Sequence, residues 1–324
     1  MEEIRCIFCE KADSQAVIEE NGYAGRQCSQ CGLIYISPRP TIDEILKLYR
    51  EDNAYKPAET HIEAELFKRL HAMHNLKIVT SFVKGGAILD IGAGAGYFLD
   101  EARKRGFKPY AIELNQIQAD FIQNTLKIPC EQSLLNSSSF GDTKFDVVYH
   151  CDVISHFFDP ISTFKEINEK MIDGSFLIFE TGNLGEVNHK YLKLFHRFSY
   201  PDHLFFFSTD NLRDLLERTG FNFVKIYRYS LMPELTGSRI LATIWARMSK
   251  SRKQGMPPDS NNTAVKKKSD VNFLIASFND SPIKKIIRNI FYYFGYLLRY
   301  KLGYILPKIN QPQTVIVIAQ KLKR

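Results

Sequence analysis

The sequence predicts an α/β protein built on a doubly wound, mostly parallel sheet, and three observations carry that prediction. Short continuous apolar runs alternate with amphipathic helical stretches between residues 85 and 230. The first of these runs, Ile88–Ile91 (ILDI), passes directly into Gly92-Ala-Gly94-Ala-Gly96 and then into helix-forming sequence. A final strand-like run, Thr314–Ala319 (TVIVIA), follows a long polar and basic excursion. Continuous apolar strands alternating with helices imply a sheet covered on both faces.

The elements follow in chain order. At 324 residues, with 44% hydrophobic and 24% charged content, the chain has the length and composition of one globular α/β domain with attachments. Residues 1–40 read as a small independent module with β-like runs at Gln15–Glu19 and Leu33–Ile36, closed by Ser37-Pro-Arg-Pro40. Thr41 and Glu44 have the spacing of a capping box, which starts a helix running to about Tyr49. Residues 60–84 place apolar side chains at helical spacing, and Gly85-Gly86 stops that helix. Residues 41–84 are thus connecting helices.

The sheet domain spans 85–230. Its strands are expected at Ala87–Ile91, Pro109–Leu114, Ile128–Gln132, Phe145–His150, Ser175–Thr181 and Phe221–Tyr229. Its helices are expected at Tyr97–Arg105, Gln116–Leu126, Pro160–Ile172 and Thr209–Thr219. Residues 231–311 read as a basic helical insertion before the last strand at 312–324, with a mobile loop over 249–270. No internal repeat is evident.

The glycine turn carries the first chemistry. Glycines remove side chains where a ligand must approach the backbone, and they permit positive φ. Asp90 stands at the approach to the turn, where a carboxylate is awkward for a pyrophosphate and suits a ligand with ammonium and sulfonium charges. Glu113 ends the next strand 21 residues after Gly92, the expected place for a carboxylate that accepts from ribose hydroxyls. Tyr97 occupies the position where a dinucleotide site often needs a third glycine.

Ile88–Leu99, Ala111–Asn115 and Phe145–Pro160 together resemble class I S-adenosylmethionine (SAM)-dependent methyltransferases. Asp90, Gly92, Gly94 and Gly96 match the family's D/E-x-G-x-G-x-G motif. The resemblance spans about residues 60–230 plus the last strand. It implies a Rossmann-like fold, SAM as cofactor, and Glu113 as the ribose ligand. Tyr97, Ser133 and Asp152 join the candidate cofactor contacts. The family commonly has an acid after the third strand, near the adenine. Here that stretch reads Cys130-Glu-Gln-Ser-Leu-Leu135, which leaves Ser133 as a candidate.

Two histidines are candidates for catalysis. His156 lies in the loop after the fourth strand, where the resemblance places the acceptor. A neutral imidazole there can take a proton from an acceptor atom. His203, in Tyr200-Pro-Asp-His203, lies in the segment after the fifth strand. The competing reading of His156 is a helix cap or packing under the cofactor, and that of His203 is a structural hydrogen bond. The other histidines read as surface or packing residues, with His150 held in its strand.

Cys6-x-x-Cys9 and Cys28-x-x-Cys31, 18 residues apart, have the spacing of a four-thiolate zinc site. This N-terminal zinc module resembles one fused to some methyltransferases. Residues 239–308 hold 14 basic and 3 acidic residues, so the rest of the chain is mildly acidic. Helix 283–308 alternates Ile, Phe and Tyr with Lys and Arg, a pattern suited to an anionic membrane surface or to packing over the insertion. With no secretory signal and no run of about 20 apolar residues, the expected location is cytoplasmic, peripheral on the inner face of the membrane if that helix binds lipid.

The expected function is methyl transfer from SAM to a small molecule: a sugar, a secondary metabolite or a lipid-linked intermediate. The alternatives are a SAM-binding or membrane-associated scaffold without catalysis, and an RNA methyltransferase that uses the zinc module as a grip. The mildly acidic body disfavours nucleic acid as a partner.

Overall fold

The computed structural model describes residues 1–13, 15–51, 57–195, 197–237 and 282–323. The loop expected at 249–270, and most of the expected insertion, lie outside the described residues.

The central sheet is built as its apolar runs require. Strands β4 (Gly86–Ile91), β5 (Phe107–Ile112), β6 (Cys130–Glu131), β7 (Phe145–Cys151), β8 (Met171–Gly182), β10 (Phe221–Ser230) and β11 (Gln313–Lys321) form one sheet in the order β10-β11-β8-β7-β4-β5-β6. All neighbouring pairs are parallel except the two made by β11. Helices α3 (Glu65–Phe82), α4 (Tyr97–Arg103), α5 (Gln116–Asp120), α6 (Pro160–Lys170) and α7 (Thr209–Arg218) connect and cover these strands. Ile88, Leu89, Val147, Val148, Ile178 and Val317 are fully buried, as strands covered on both faces must be.

The helix expected over 60–84 breaks at Ala64 into α2 (Ala58–Glu63) and α3. The helix expected at 116–126 is α5 followed by a π-helical turn, Phe121–Thr125. Helix α1 (Ile42–Arg50) starts at the Thr41–Glu44 capping box, as its sequence requires.

The N-terminal module departs from its expected independence. Strands β1 (Ala16–Glu20), β2 (Tyr23–Gln27) and β3 (Ile34–Ile36) form an antiparallel sheet whose fourth strand is β9 (Phe205–Phe206), from the segment after β8. Ile34 pairs with Phe206 and Tyr35 with Phe205. Three short strands cannot bury their own apolar face. Ile34, Tyr35 and Ile36 are instead buried in one cluster with Leu204, Phe205 and Phe207. β2 is an addition to the expected strands. Its turn is Asn21-Gly22, both at positive φ (54° and 82°), a hairpin signal that its polar strand residues obscure.

The described part of the basic segment packs into the fold. Helix α8 (Pro282–Tyr296) packs on α3, with the Phe67 and Tyr292 rings 5.3 Å apart. The turn after it buries Tyr300, whose hydroxyl donates to Glu180 Oε1 at 2.7 Å. Asn75 Nδ2 donates to Glu180 Oε2 at 2.6 Å and to Tyr149 Oη at 2.7 Å. His71 and His74, on α3, pack against the Tyr300 ring. Among the described residues no helix is long and apolar enough to cross a membrane.

His150, on β7, sits stacked on Phe179 with neither ring nitrogen hydrogen-bonded. Burial pushes its pKa down to about 3. At pH 7 it is neutral whether folded or unfolded. Near pH 5 the unfolded chain takes the proton and the folded chain refuses it, so stability is lost as pH falls below about 6.5. His150→Phe should therefore exceed the wild type in stability by about 2 kcal/mol more at pH 5 than at pH 7.5, measured by urea denaturation. A pH-independent difference would refute this account of His150.

Candidate functional site

The glycine turn follows β4, with Gly92, Gly94 and Gly96 at φ of 69°, 57° and 70°. A Cβ on Gly92 would lie 2.7 Å from Val153 Cγ2, and one on Gly96 would lie 2.8 Å from Ile122 Cγ1. A Cβ on Gly94 would meet nothing within 4 Å. Two glycines thus let the turn pack, and the third opens on space beside the backbone. The Gly94 N–H donates to Glu113 Oε2 at 2.7 Å, and the Asn115 N–H donates to Oε1 at 2.9 Å. The turn and the Glu113 carboxylate at the end of β5 are therefore one unit.

Asp90 is buried beneath this unit. Burial and the Glu113 charge hold its pKa well above the usual carboxylate range, and burial also raises Glu113 against the pull of its backbone donors. Two buried acids at a glycine turn are relieved by a cationic ligand. The ammonium and sulfonium of SAM supply that charge, so these residues fit the cofactor. Lys68 on α3 acts electrostatically on both acids and on Cys151 at the end of β7.

The other expected cofactor contacts diverge. Asp152 follows β7, exposed and at φ 55°, with its N–H donating to the Glu180 carbonyl at 2.9 Å. The Tyr97 hydroxyl donates to the Ile62 carbonyl at 2.7 Å, which commits it to α2. Ser133 is half-buried two residues beyond β6.

The two candidate histidines come together, with ring centroids 4.6 Å apart. His156 Nδ1 lies 2.9 Å from the Asp202 carbonyl oxygen, 3.2 Å from Asp202 Oδ1 and 2.7 Å from Tyr49 Oη. The Tyr49 hydroxyl donates to Asp202 Oδ1, so the His156 Nδ1–H faces only oxygens able to accept. This fixes the tautomer and leaves Nε2 to exchange a proton. Burial alone would lower the His156 pKa, and the Asp202 carboxylate more than reverses that and raises it. His203 Nδ1 donates to the Phe198 carbonyl at 2.7 Å, and burial pushes its pKa down to about 4, assisted by His156. A raised imidazole stands beside a depressed one.

Tyr49 and Asp202 were not singled out in the sequence, although each stands close to a residue that was. Asp202 precedes His203, and Tyr49 lies in the last turn of the capped helix α1. Asn115, which caps α5, also donates to the Tyr49 carbonyl at 3.3 Å. Tyr49 therefore joins the Glu113 region to the histidine pair.

In the N-terminal module the Sγ atoms of Cys6, Cys9, Cys28 and Cys31 all lie within 4.8 Å of one another, with no disulfide. Cys6 Sγ and Cys31 Sγ are 3.5 Å apart, close to the ~3.8 Å edge of a tetrahedral four-thiolate zinc centre with ~2.3 Å bonds. The two knuckles turn alike. The Glu10 N–H donates to the Cys6 carbonyl and the Gly32 N–H to the Cys28 carbonyl, at 2.8 and 2.9 Å, and both residues have positive φ. The donor set fits zinc.

Residues 59–226 match a family described as a methyltransferase domain. The chain belongs to that family and is a class I SAM-dependent methyltransferase. A tRNA U34 carboxymethyltransferase of Helicobacter hepaticus (strain ATCC 51449 / 3B1) is 30% identical over 112 residues, 31% of this chain and 36% of that protein. One of Sulfurovum sp. (strain NBC37-1) is 28% identical over 153 residues, 44% of this chain and 50% of that protein. The chain thus spans half or less of the length of these curated relatives. A SAM-dependent methyltransferase structure from Archaeoglobus fulgidus superposes with a TM-score of 0.45 at 17% identity, covering 80% of this chain and 97% of that one.

These names correct the expected acceptor. The sequence reading put a small molecule first and disfavoured nucleic acid, but the curated relatives are named for a nucleotide of tRNA. That expectation weighed everything outside 239–308 as one mildly acidic body. A nucleic-acid contact needs only local cations.

Proposed function

We propose that this chain transfers a one-carbon unit from SAM to a base of an RNA, with His156 as the general base. The observation that carries the reading is the His156–Asp202–Tyr49 constellation, linked through Tyr49 to the acidic glycine cradle. The names of the curated relatives support RNA as the acceptor class.

SAM supplies an electrophilic carbon on a sulfonium whose thioether leaves neutral. The protein's work is then positioning and proton removal. The remaining lone pairs of Glu113 accept from the ribose hydroxyls, while its backbone donors keep the carboxylate oriented. Asp90, buried beneath the turn, would favour the cationic end of the bound cofactor electrostatically. His156 Nε2 takes the acceptor proton, and Asp202 stabilises the imidazolium that forms. His203, neutral near pH 7, adds no competing charge. In the N-terminal module, Cys6, Cys9, Cys28 and Cys31 would hold a structural zinc ion that takes no part in the transfer.

Glu113→Ala should weaken SAM binding by about 1–3 kcal/mol in calorimetry, because it removes a buried charged acceptor. An unchanged affinity would remove Glu113 from the cofactor site. The acceptor class is tested by incubating the protein with labelled SAM, total RNA and a metabolite extract. Label in nucleosides after RNA digestion is the expected result. Label confined to the metabolite fraction would sink the RNA reading.

A further inference from the structure

Only residues 83–85 join α3 to β4, and Leu76 and Val79 share a buried cluster with Ile88. The helix therefore runs back along the sheet, antiparallel to β4, and its first turns rise past the carboxyl ends of the strands. Two sets of contacts fix their height. Asn75 donates to Glu180 and to Tyr149, and Tyr149 pairs in register with Asp90. Arg69 donates to Asp100 and Glu101, and its guanidinium lies 4.8 Å over the Tyr97 ring. Arg69 thus stands at the first turn of α4, which begins directly after Gly96.

Lys68 belongs to this level. It precedes Asn75 by seven residues, so it shares that helix face and lies about 10 Å nearer the helix start, above the strand ends. A helical side chain also leans toward the N-terminus, which carries the ammonium further the same way. Lys68 is half-buried, and among the described residues its ammonium makes no hydrogen bond or ion pair. The adjacent Arg69, by contrast, is held by Glu65, Asp100 and Glu101. The Lys68 charge is felt by Asp90, Glu113 and Cys151, at the ends of the neighbouring strands β4, β5 and β7. A half-buried ammonium without a partner carries a desolvation cost that an anionic ligand offsets.

We infer that Lys68 binds the methionine carboxylate of the cofactor and makes the site selective for a donor that keeps its amino-acid end intact. The inference rests on SAM as the cofactor and is independent of the acceptor. It follows from the distribution of charge. SAM carries two cationic groups and one anionic group, the carboxylate. Asp90 and Glu113 suit the cations and the ribose hydroxyls, and both would repel a carboxylate. Lys68 comes from the helix that covers the sheet rather than from the strand ends, and it answers the one charge those acids oppose. A lysine ammonium on its flexible stem can meet a carboxylate without the planar, paired geometry of a guanidinium.

The test is calorimetry on the full-length protein with three ligands: SAM, S-adenosylhomocysteine, and decarboxylated SAM, which keeps the sulfonium and the amine but lacks the carboxylate. Lys68→Met should weaken SAM and S-adenosylhomocysteine about tenfold, the loss of one charge-assisted contact, and leave decarboxylated SAM within about twofold. The wild type should therefore prefer SAM to its decarboxylated form, and the variant should lose that preference. Lys68→Arg should restore most of it. Retained binding of decarboxylated SAM also shows that the variant is folded. Equal weakening of SAM and decarboxylated SAM would overturn the inference and make Lys68 a support of the fold. Unchanged SAM affinity in Lys68→Met would overturn it too, and a simultaneous loss of affinity for a uridine-containing RNA hairpin would assign Lys68 to an RNA phosphate. A wild-type protein that binds none of the three ligands would remove the cofactor site itself.

Discussion

Replacing His156 with alanine is expected to lower the rate of group transfer by about 10²- to 10⁴-fold, the range for a positioned general base. SAM affinity should stay within about twofold, since among the described residues no hydrogen bond joins His156 directly to the glycine turn or to Glu113, which it reaches through Tyr49 and Asn115. The pH dependence makes the test specific. His156 is faced by Asp202 through both its carboxylate and its carbonyl, by Tyr49, by His203 and, through space, by Asp152. The net effect raises its pKa. A base acts when unprotonated, so the rate should climb with pH through a midpoint above 6.5. Asp202→Asn removes the carboxylate that raises the imidazole, so the midpoint should move to lower pH while the rate drops. Loss of transfer in His156→Ala without such a shift in Asp202→Asn would make His156 structural. The same pairing has a stability signature. A raised histidine stabilises the fold below its unfolded value, and that contribution fades as pH rises through the folded value.

Much of the geometry proposed to hold the cofactor was legible in the sequence because it is local. A strand ending in glycines and a carboxylate at the next strand end are fixed by one βαβ unit. Asp90, Gly92, Gly94, Gly96 and Glu113 therefore meet where their spacing requires. Tyr97 was expected as a cofactor contact from its position in the turn, and its hydroxyl donates to the Ile62 carbonyl at the α2–α4 junction. The proposed acceptor half joins three distant segments, at Tyr49, His156 and Asp202. No periodicity in one segment reports on another, so His156 and His203 were visible as residue types while their partners were not. The β3–β9 pairing was hidden for the same reason. Phe205 and Phe206 read as a short apolar run before a helix cap, and only contact with Ile34 and Tyr35 makes them a strand.

That pairing is why Cys28→Ser should have the widest structural effect of the substitutions considered. The wild-type protein is expected to carry one zinc per chain and the variant none, measured by metal analysis. Zinc binding in small modules is folding energy, so loss of one ligand should unfold β1, β2 and β3. The damage should spread along defined contacts. β9 loses its partner strand β3. The Asn211 side chain loses the Cys31 carbonyl to which it donates at 3.0 Å. Arg39 holds the loop behind His156 by donating to the Phe158 carbonyl at 2.7 Å, with its guanidinium 3.7 Å over the Phe158 ring. Releasing Arg39 should free that loop, and releasing β9 should free Asp202. Hydrogen exchange should therefore quicken over 16–36 and at 205–206, while β4, β5 and β7 stay protected. SAM affinity should persist, because the glycine turn and Glu113 belong to the central sheet, and turnover should fall with the loss of the His156–Asp202 alignment. Absence of zinc from the wild-type protein, or unchanged exchange at 205–206 in the variant, would dissociate the cysteine module from the acceptor site.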